Sequence, residues 1–161
     1  MSLAGISTEF LKVSSTDPHV ALVEILRKPV NAFSEKYDPS ALVMSLALTR
    51  VPLRQLRDQV LSFQNCISAI ERCPYPVIVA AHGIAYGLSI DIMAACDVRY
   101  AASNSVFSIK EVDVGLAADI GTLARLPKIA GNHSLMHELA YTARDFSAAE
   151  AEKLGFVSRV V

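Results

Sequence analysis

The chain has 161 residues, of which 52% are hydrophobic and 19% charged, with 15 basic against 16 acidic side chains and a formal net charge of −1. That balance excludes a disordered tail, a collagen-like polymer and a strongly basic nucleic-acid binder, and a chain of this length can bury a core as one domain without disulfides or a structural metal. The mean hydropathy of +0.37 is high for a soluble monomer and implies either a deeply buried fold or apolar faces covered by a partner.

In chain order, Met1 to Asp17 contains no arginine and no basic stretch leading into an apolar core, so no secretory or mitochondrial leader is expected. Val20 to Leu26 is apolar except for Glu24 and is closed by Arg27, Lys28 and Pro29, which reads as a strand. From Pro52, the apolar residues Leu53, Leu56, Val60, Phe63, Ile67 and Ile70 recur at steps of three and four. They predict an amphipathic helix that Pro74 and Pro76 end near Arg72. Tyr75 to Ala95 is strongly apolar, but Pro76, His82, Gly83, Gly87 and Asp91 interrupt it, so it is not a membrane span. Val77 to Ala81 instead predicts a short parallel strand covered on both faces. The turn His82 to Gly87 follows, and Leu88 to Cys96 has helical length. Extended segments are expected at Asp97 to Tyr100 and around Ser105 to Ile109. Asn132 can cap a helix running to about Tyr141, and Ser147-Ala148-Ala149-Glu150 is a capping-box pattern opening a helix that Gly155 stops. Phe156 to Val161 predicts a last strand, and the final Ser-Arg-Val-Val is not a peroxisomal address of the Ser-Lys-Leu type. The alternation favours an α/β layer fold with parallel strands and flanking helices. Cys66, Cys73 and Cys96 are odd in number and lack C-x-x-C spacing, which suits a reducing interior and a packing role.

Three carboxylates stand out by position: Asp91, Glu111 and Asp119. Asp91 lies one turn into an apolar helix directly after a glycine-containing turn, where unpaired peptide N–H groups can hold an oxyanion. Glu111 and Asp119 flank the apolar run Val114-Gly115-Leu116-Ala117-Ala118, where desolvation would raise their pKa values toward acid/base use. Periodicity alone leaves open the plainer reading of a satisfied helix-start acid and two solvated loop charges. His133 and His137, beside Glu138, have the i, i+4 spacing of a zinc pair but not the H-E-x-x-H order, so exposed helix histidines are the better reading. Arg50, Arg54 and Arg57 read better as a solvated face than as a phosphate site, and His82 as structural. No Walker A or G-x-G-x-x-G motif occurs, so neither ATP nor NAD is indicated.

The stretch from Glu71 to Val160 is Glu-Arg-Cys-Pro-Tyr-Pro-Val-Ile-Val-Ala-Ala-His-Gly, through Lys-Glu-Val-Asp-Val-Gly-Leu-Ala-Ala-Asp-Ile-Gly-Thr-Leu, to Gly-Phe-Val-Ser-Arg-Val. It resembles the enoyl-CoA hydratase/isomerase (crotonase) superfamily, and within it the dienoyl-CoA isomerase branch. Val20 to Ser34 resembles that family's opening strand and Pro-x-Asn-Ala turn. The resemblance implies a crotonase-like (ClpP/crotonase) α/β fold, here a single partial domain over residues 1–161. It implies isomerisation of a 3,5-dienoyl-CoA to the conjugated 2,4-dienoyl-CoA, in fatty-acid β-oxidation or specialised acyl-chain processing. Asp119 would be the base at C2, Glu111 the acid at C6, and Asp91 the residue that tunes and orients them. Leu88, following the turn at Gly87, would give an oxyanion-hole N–H. Hydratases of the family carry glutamate at the Asp91 and Glu111 positions. The aspartate at 91 and the extra acid Asp119 therefore favour isomerisation.

Where the family has a glycine-rich run, this chain reads Gly83-Ile84-Ala85-Tyr86-Gly87-Leu88-Ser89. The Ala-Gly-x-Asp-like segment that supplies the other oxyanion donor is not found between Lys36 and Pro52, and the family's C-terminal helices would follow Val161. The alternatives kept are an enoyl-CoA hydratase and a catalytically silent truncated chain that binds acyl-CoA or other subunits. The resemblance further implies no metal and no separate cofactor, coenzyme A being part of the substrate. It implies an acyl-CoA partner and homotrimers or hexamers built through helices not in this chain. A peroxisomal location is expected, with mitochondrion or cytosol as alternatives.

Overall fold

The computed structural model describes residues 11–25 and 53–161, which belong to two units, residues 1–43 and 44–161. In the first, β1 (Leu11–Asp17) and β2 (Val20–Ile25) form an antiparallel hairpin, with Leu11 opposite Ile25 and a register shift between Ser15 and Asp17. Pro18 fixes the backbone at the first corner position and His19 takes a left-handed φ of 71° at the second, so the chain reverses in two residues. Lys12 pairs with Glu24 across the strands at 2.8 Å. The Pro-x-Asn-Ala turn, Arg50 and the stretch between Lys36 and Pro52 lie outside the described residues, as does the side chain of Arg54.

The second unit opens with α1 (Leu53–Glu71), whose predicted stripe is confirmed by a half-buried Leu56, Val60 and Phe63 and a buried Ile67. Next come β3 (Ile78–Ala81), β4 (Ile84–Tyr86), α2 (Leu88–Ala95), β5 (Val98–Ala101) and β6 (Val106–Ser108). A short 3-10 helix spans Glu111–Val114, followed by α3 (Thr122–Ile129), α4 (His133–Thr142), β7 (Phe146–Ser147), α5 (Ala148–Leu154) and β8 (Arg159–Val160). One sheet has the order β3-β5-β8 and is wholly parallel. The other has the order β4-β6-β7, with β4–β6 parallel and β6–β7 antiparallel.

Several sequence expectations need correction. β3 is covered on one face only: Ile78 is 61% exposed while Val79 and Ala81 pack on the core, because alternate side chains of a strand point to opposite faces. The span read as a plain turn, His82 to Gly87, contains β4, which joins β6. Cys96 is buried as expected of a packing cysteine, but Cys66 and Cys73 are exposed. The helix α3 was not anticipated. Its Pro127 suggests a break, but it falls in the last turn, where only one backbone bond is forfeited.

The core gathers α2, β6 and the C-terminal helices. Phe107, wholly buried, sits 5.5 Å from the ring of Phe146 and 5.9 Å edge-on from that of Phe156. Ile90, Met93, Leu126 and Leu139 close around them. Each side chain of this size contributes about 1.5–3 kcal/mol by leaving water. The predicted caps form: Asn132 Oδ1 accepts from Leu135 N–H at 3.1 Å and Ser147 Oγ from Glu150 N–H at 3.2 Å, with Gly155 left-handed at φ 86°. The reciprocal half of the capping box is diverted, because the Glu150 carboxylate accepts from Arg144 at 2.6 and 3.1 Å.

Candidate active site

The site is built where β4 becomes α2. Gly87 N–H donates to Ser108 O at 2.9 Å, ending the β4–β6 pairing, and the residue then adopts φ 54° and ψ −118°, a conformation open to glycine and strained for any other residue. The chain turns directly into helix, and Leu88 occupies its first position. The Leu88 N–H there has no carbonyl one turn back to bind, as at every helix start. Three residues on, Asp91 is 1% exposed.

Glu111 comes from the other side, at the start of the 3-10 helix after β6. A Cβ on Gly87 would lie 3.2 Å from Glu111 Oε1, so the carboxyl group rests against the glycine. Its Oε2 is buried without a hydrogen-bond partner. Burial pushes the Glu111 pKa up, its own backbone N–H opposes that, and the negative charges of Asp91 and Asp119 add to the rise. The neighbouring cation is engaged elsewhere: Lys110 Nζ donates to Ala143 O at 2.8 Å, pairs with Asp145 at 3.4 Å and Asp113 at 3.5 Å, and lies 5.2 Å from the Tyr86 ring centroid.

Asp119 lies in the loop between the 3-10 helix and α3. It is an exposed residue, so the desolvation expected for it is absent; its loop runs over the surface. The loop is tied down at its backbone, where Leu116 N–H donates to Glu111 O at 2.9 Å and Gln64 Nε2 on α1 donates to Asp119 O at 2.8 Å. Asp91 is held by the start of α3: its Oδ1 accepts from Thr122 N–H at 2.6 Å and from Thr122 Oγ1 at 2.9 Å. Burial raises the Asp91 pKa, opposed by these two donors and by the charge of Arg125. The Arg125 guanidinium bridges to α1, reaching Ser68 Oγ at 2.8 Å and Glu71 Oε2 at 2.9 Å. Gly121 leaves it room, since a Cβ there would collide with it.

Of the sequence candidates, Glu111 rests against Gly87, and the charges of Asp91, on α2, and of Asp119, on the surface loop, both reach it. His82, Arg57, His133 and His137 are exposed. His133 Nε2 is 2.8 Å from Pro127 O, and among the described residues no three His, Cys, Asp or Glu are grouped to hold a metal ion. Gln64, Thr122 and Arg125 were not singled out from the sequence. No local signal marks Thr122, and Gln64 and Ser68 are polar residues beside the apolar stripe of α1. A half-buried acid with an unpartnered oxygen, a second acid open to water and a helix-start N–H are groups of the kind that exchange protons with a substrate whose oxygen becomes negative.

Comparison with known proteins bears on this arrangement. The profile of the enoyl-CoA hydratase/isomerase family matches residues 45–161. The chain is 56% identical over 105 residues to the human mitochondrial Delta(3,5)-Delta(2,4)-dienoyl-CoA isomerase, covering 65% of this chain and 32% of that protein. It is 53% identical over 106 residues to the peroxisomal Delta(3,5)-Delta(2,4)-dienoyl-CoA isomerase of Arabidopsis thaliana, covering 66% and 38%. These matches span only about a third of the curated relatives. Among solved structures, an enoyl-CoA hydratase from Bacillus anthracis superimposes with a TM-score of 0.77 at 25% identity, covering 95% of this chain and 70% of that one.

Proposed function

We propose, given that this chain belongs to the enoyl-CoA hydratase/isomerase family, that it shifts the double bonds of a 3,5-dienoyl-CoA into the conjugated 2,4 position by moving one proton out and one proton in. The exposed Asp119 takes a proton from C2. The electron pair delocalises onto the thioester oxygen and along the chain to C6. Glu111, half-buried and with its pKa raised, delivers its proton at C6. The transient oxyanion is met by the Leu88 N–H at the head of α2, in the turn set by Gly87. One such donor lowers the barrier by about 3–4 kcal/mol. Asp91 touches neither carbon; its charge keeps the proton on Glu111 and its anchorage orients the pair. After turnover Asp119 returns its proton to water, and Glu111 regains one.

The observation that carries this reading is the buried Glu111 Oε2, which has no hydrogen-bond partner to support a negative charge. Support comes from the two dienoyl-CoA isomerases that match more than half of this chain at above 50% identity. The reading extends to a single partial crotonase-like domain over residues 1–161, an acyl-CoA partner and no cofactor beyond the substrate's own coenzyme A. The relatives' names place them in mitochondria or peroxisomes, and we assign this chain to an organelle of that kind. Among the described residues no helix is long and apolar enough to cross a membrane. The test is a 3,5-dienoyl-CoA assay: ultraviolet absorbance rises as conjugation forms, and Asp119→Asn abolishes the rise. A chain that binds the ester without changing absorbance overturns the reading. One that bleaches a 2-enoyl-CoA is a hydratase.

A further inference from the structure

The carboxyl groups of buried Asp91 and half-buried Glu111 are solvated very differently. Asp91 Oδ1 accepts two hydrogen bonds, from the N–H and the hydroxyl of Thr122, a residue with no exposed surface. Glu111 Oε2 has no hydrogen-bond partner, and the carboxyl group draws on its own backbone N–H. Two buried carboxyl groups within reach of each other's charge lose their protons in sequence, and the one whose ionised form receives donors goes first. Hydrogen bonds to a charged acceptor are roughly twice as strong as neutral ones.

We infer that Thr122 is a positioning residue: by giving both of its donors to one oxygen of Asp91, it fixes the order in which the two acids deprotonate, Asp91 first and Glu111 last. The other charged groups act in the same sense. Arg125, on α3 and steered by Ser68 and Glu71 of α1, adds positive charge on the Asp91 side. Asp119 faces Glu111 from its loop and adds negative charge there. Thr122 touches neither substrate carbon. It acts through Asp91, and without its hydroxyl the ionised Asp91 loses a donor and the gap between the two acids narrows. The inference rests on the proposed role of Glu111 as the acid, because an acid must still hold its proton when the ester arrives.

The test is a carboxyl carbon-13 NMR titration of the full chain labelled at aspartate and glutamate, with Asp91→Asn and Glu111→Gln assigning the two signals. In the unaltered protein Asp91 titrates at lower pH than Glu111. In Thr122→Val the Asp91 midpoint rises and the Glu111 midpoint falls, while Thr122→Ser keeps the original order. Finding Glu111 to titrate first in the unaltered protein overturns the inference and requires no variant to fold. Unchanged midpoints in a folded Thr122→Val also overturn it. With a 3,5-dienoyl-CoA, Thr122→Val moves the alkaline limb of kcat to lower pH and leaves KM unchanged. If the unaltered chain gives no turnover while the titration order holds, the proposed function fails and with it the use of that order in catalysis, while the order set by Thr122 stands.

Discussion

The Glu111 carboxyl group rests on the α-carbon of Gly87, so closely that a methyl group there would sit 3.2 Å from Oε1. One glycine thus meets three demands: it takes a φ of 54° that other residues adopt only under strain, it turns β4 into α2, and it leaves space for the acid.

Gly87→Ala is therefore expected to destabilise the fold by about 1–3 kcal/mol through backbone strain. It should also reduce turnover by about tenfold or more, because the Leu88 N–H and Glu111 are displaced together. Urea denaturation with a 3,5-dienoyl-CoA assay on the same preparation checks both, and a variant with unaltered stability and rate contradicts the packing described here.

Stability should depend on pH through Glu111 in a definite direction. The folded-state pKa lies above the ordinary 4.5, so the folded chain binds the proton more tightly than the unfolded one. The resulting stabilisation is complete below 4.5 and is lost as pH rises through the folded value. Asp91, also raised, contributes with the same sign. Glu111→Gln removes the Glu111 part, so its stability curve should fall less steeply from acid toward neutral pH, with a gain over wild type at neutral pH of about 1.4 kcal/mol for each unit of elevation removed. Parallel curves for the two proteins would refute the burial of this group.

Local signals account for what could be read in the sequence. The three-and-four spacing from Leu53 to Ile70, the Asn132 and Ser147 caps and the left-handed Gly155 each act within a few residues, and each forms as expected. The unread parts depend on distant partners. Nothing local distinguishes Ile78 from Val79, yet one faces out and the other faces the core. β4 has three residues and exists because β6 lies alongside it. The acids at 91 and 111 were legible as candidates because glycines and apolar runs surround them. Their unequal hydrogen bonding was not, since Thr122 lies thirty-one positions from Asp91.

Gln64 holds the loop that carries the proposed base. Gln64→Leu removes the donor to Asp119 O, and is expected to cost about 0.5–1.5 kcal/mol in stability. Its stronger signature is kinetic: kcat falls while the affinity for the ester is kept. Gln64→Asn, one methylene shorter, should not restore the rate. Equal losses in kcat and affinity would make Gln64 a structural residue alone.

The division of labour between Asp119 and Glu111 is tested most directly by following a 3,5-dienoyl-CoA by proton NMR in deuterated water with each acid replaced in turn. Glu111→Gln should exchange the C2 protons for deuterium without moving the double bonds, because the base still works and the acid does not. Asp119→Asn should do neither. Full isomerisation by Glu111→Gln, or unimpaired C2 exchange by Asp119→Asn, would contradict the account.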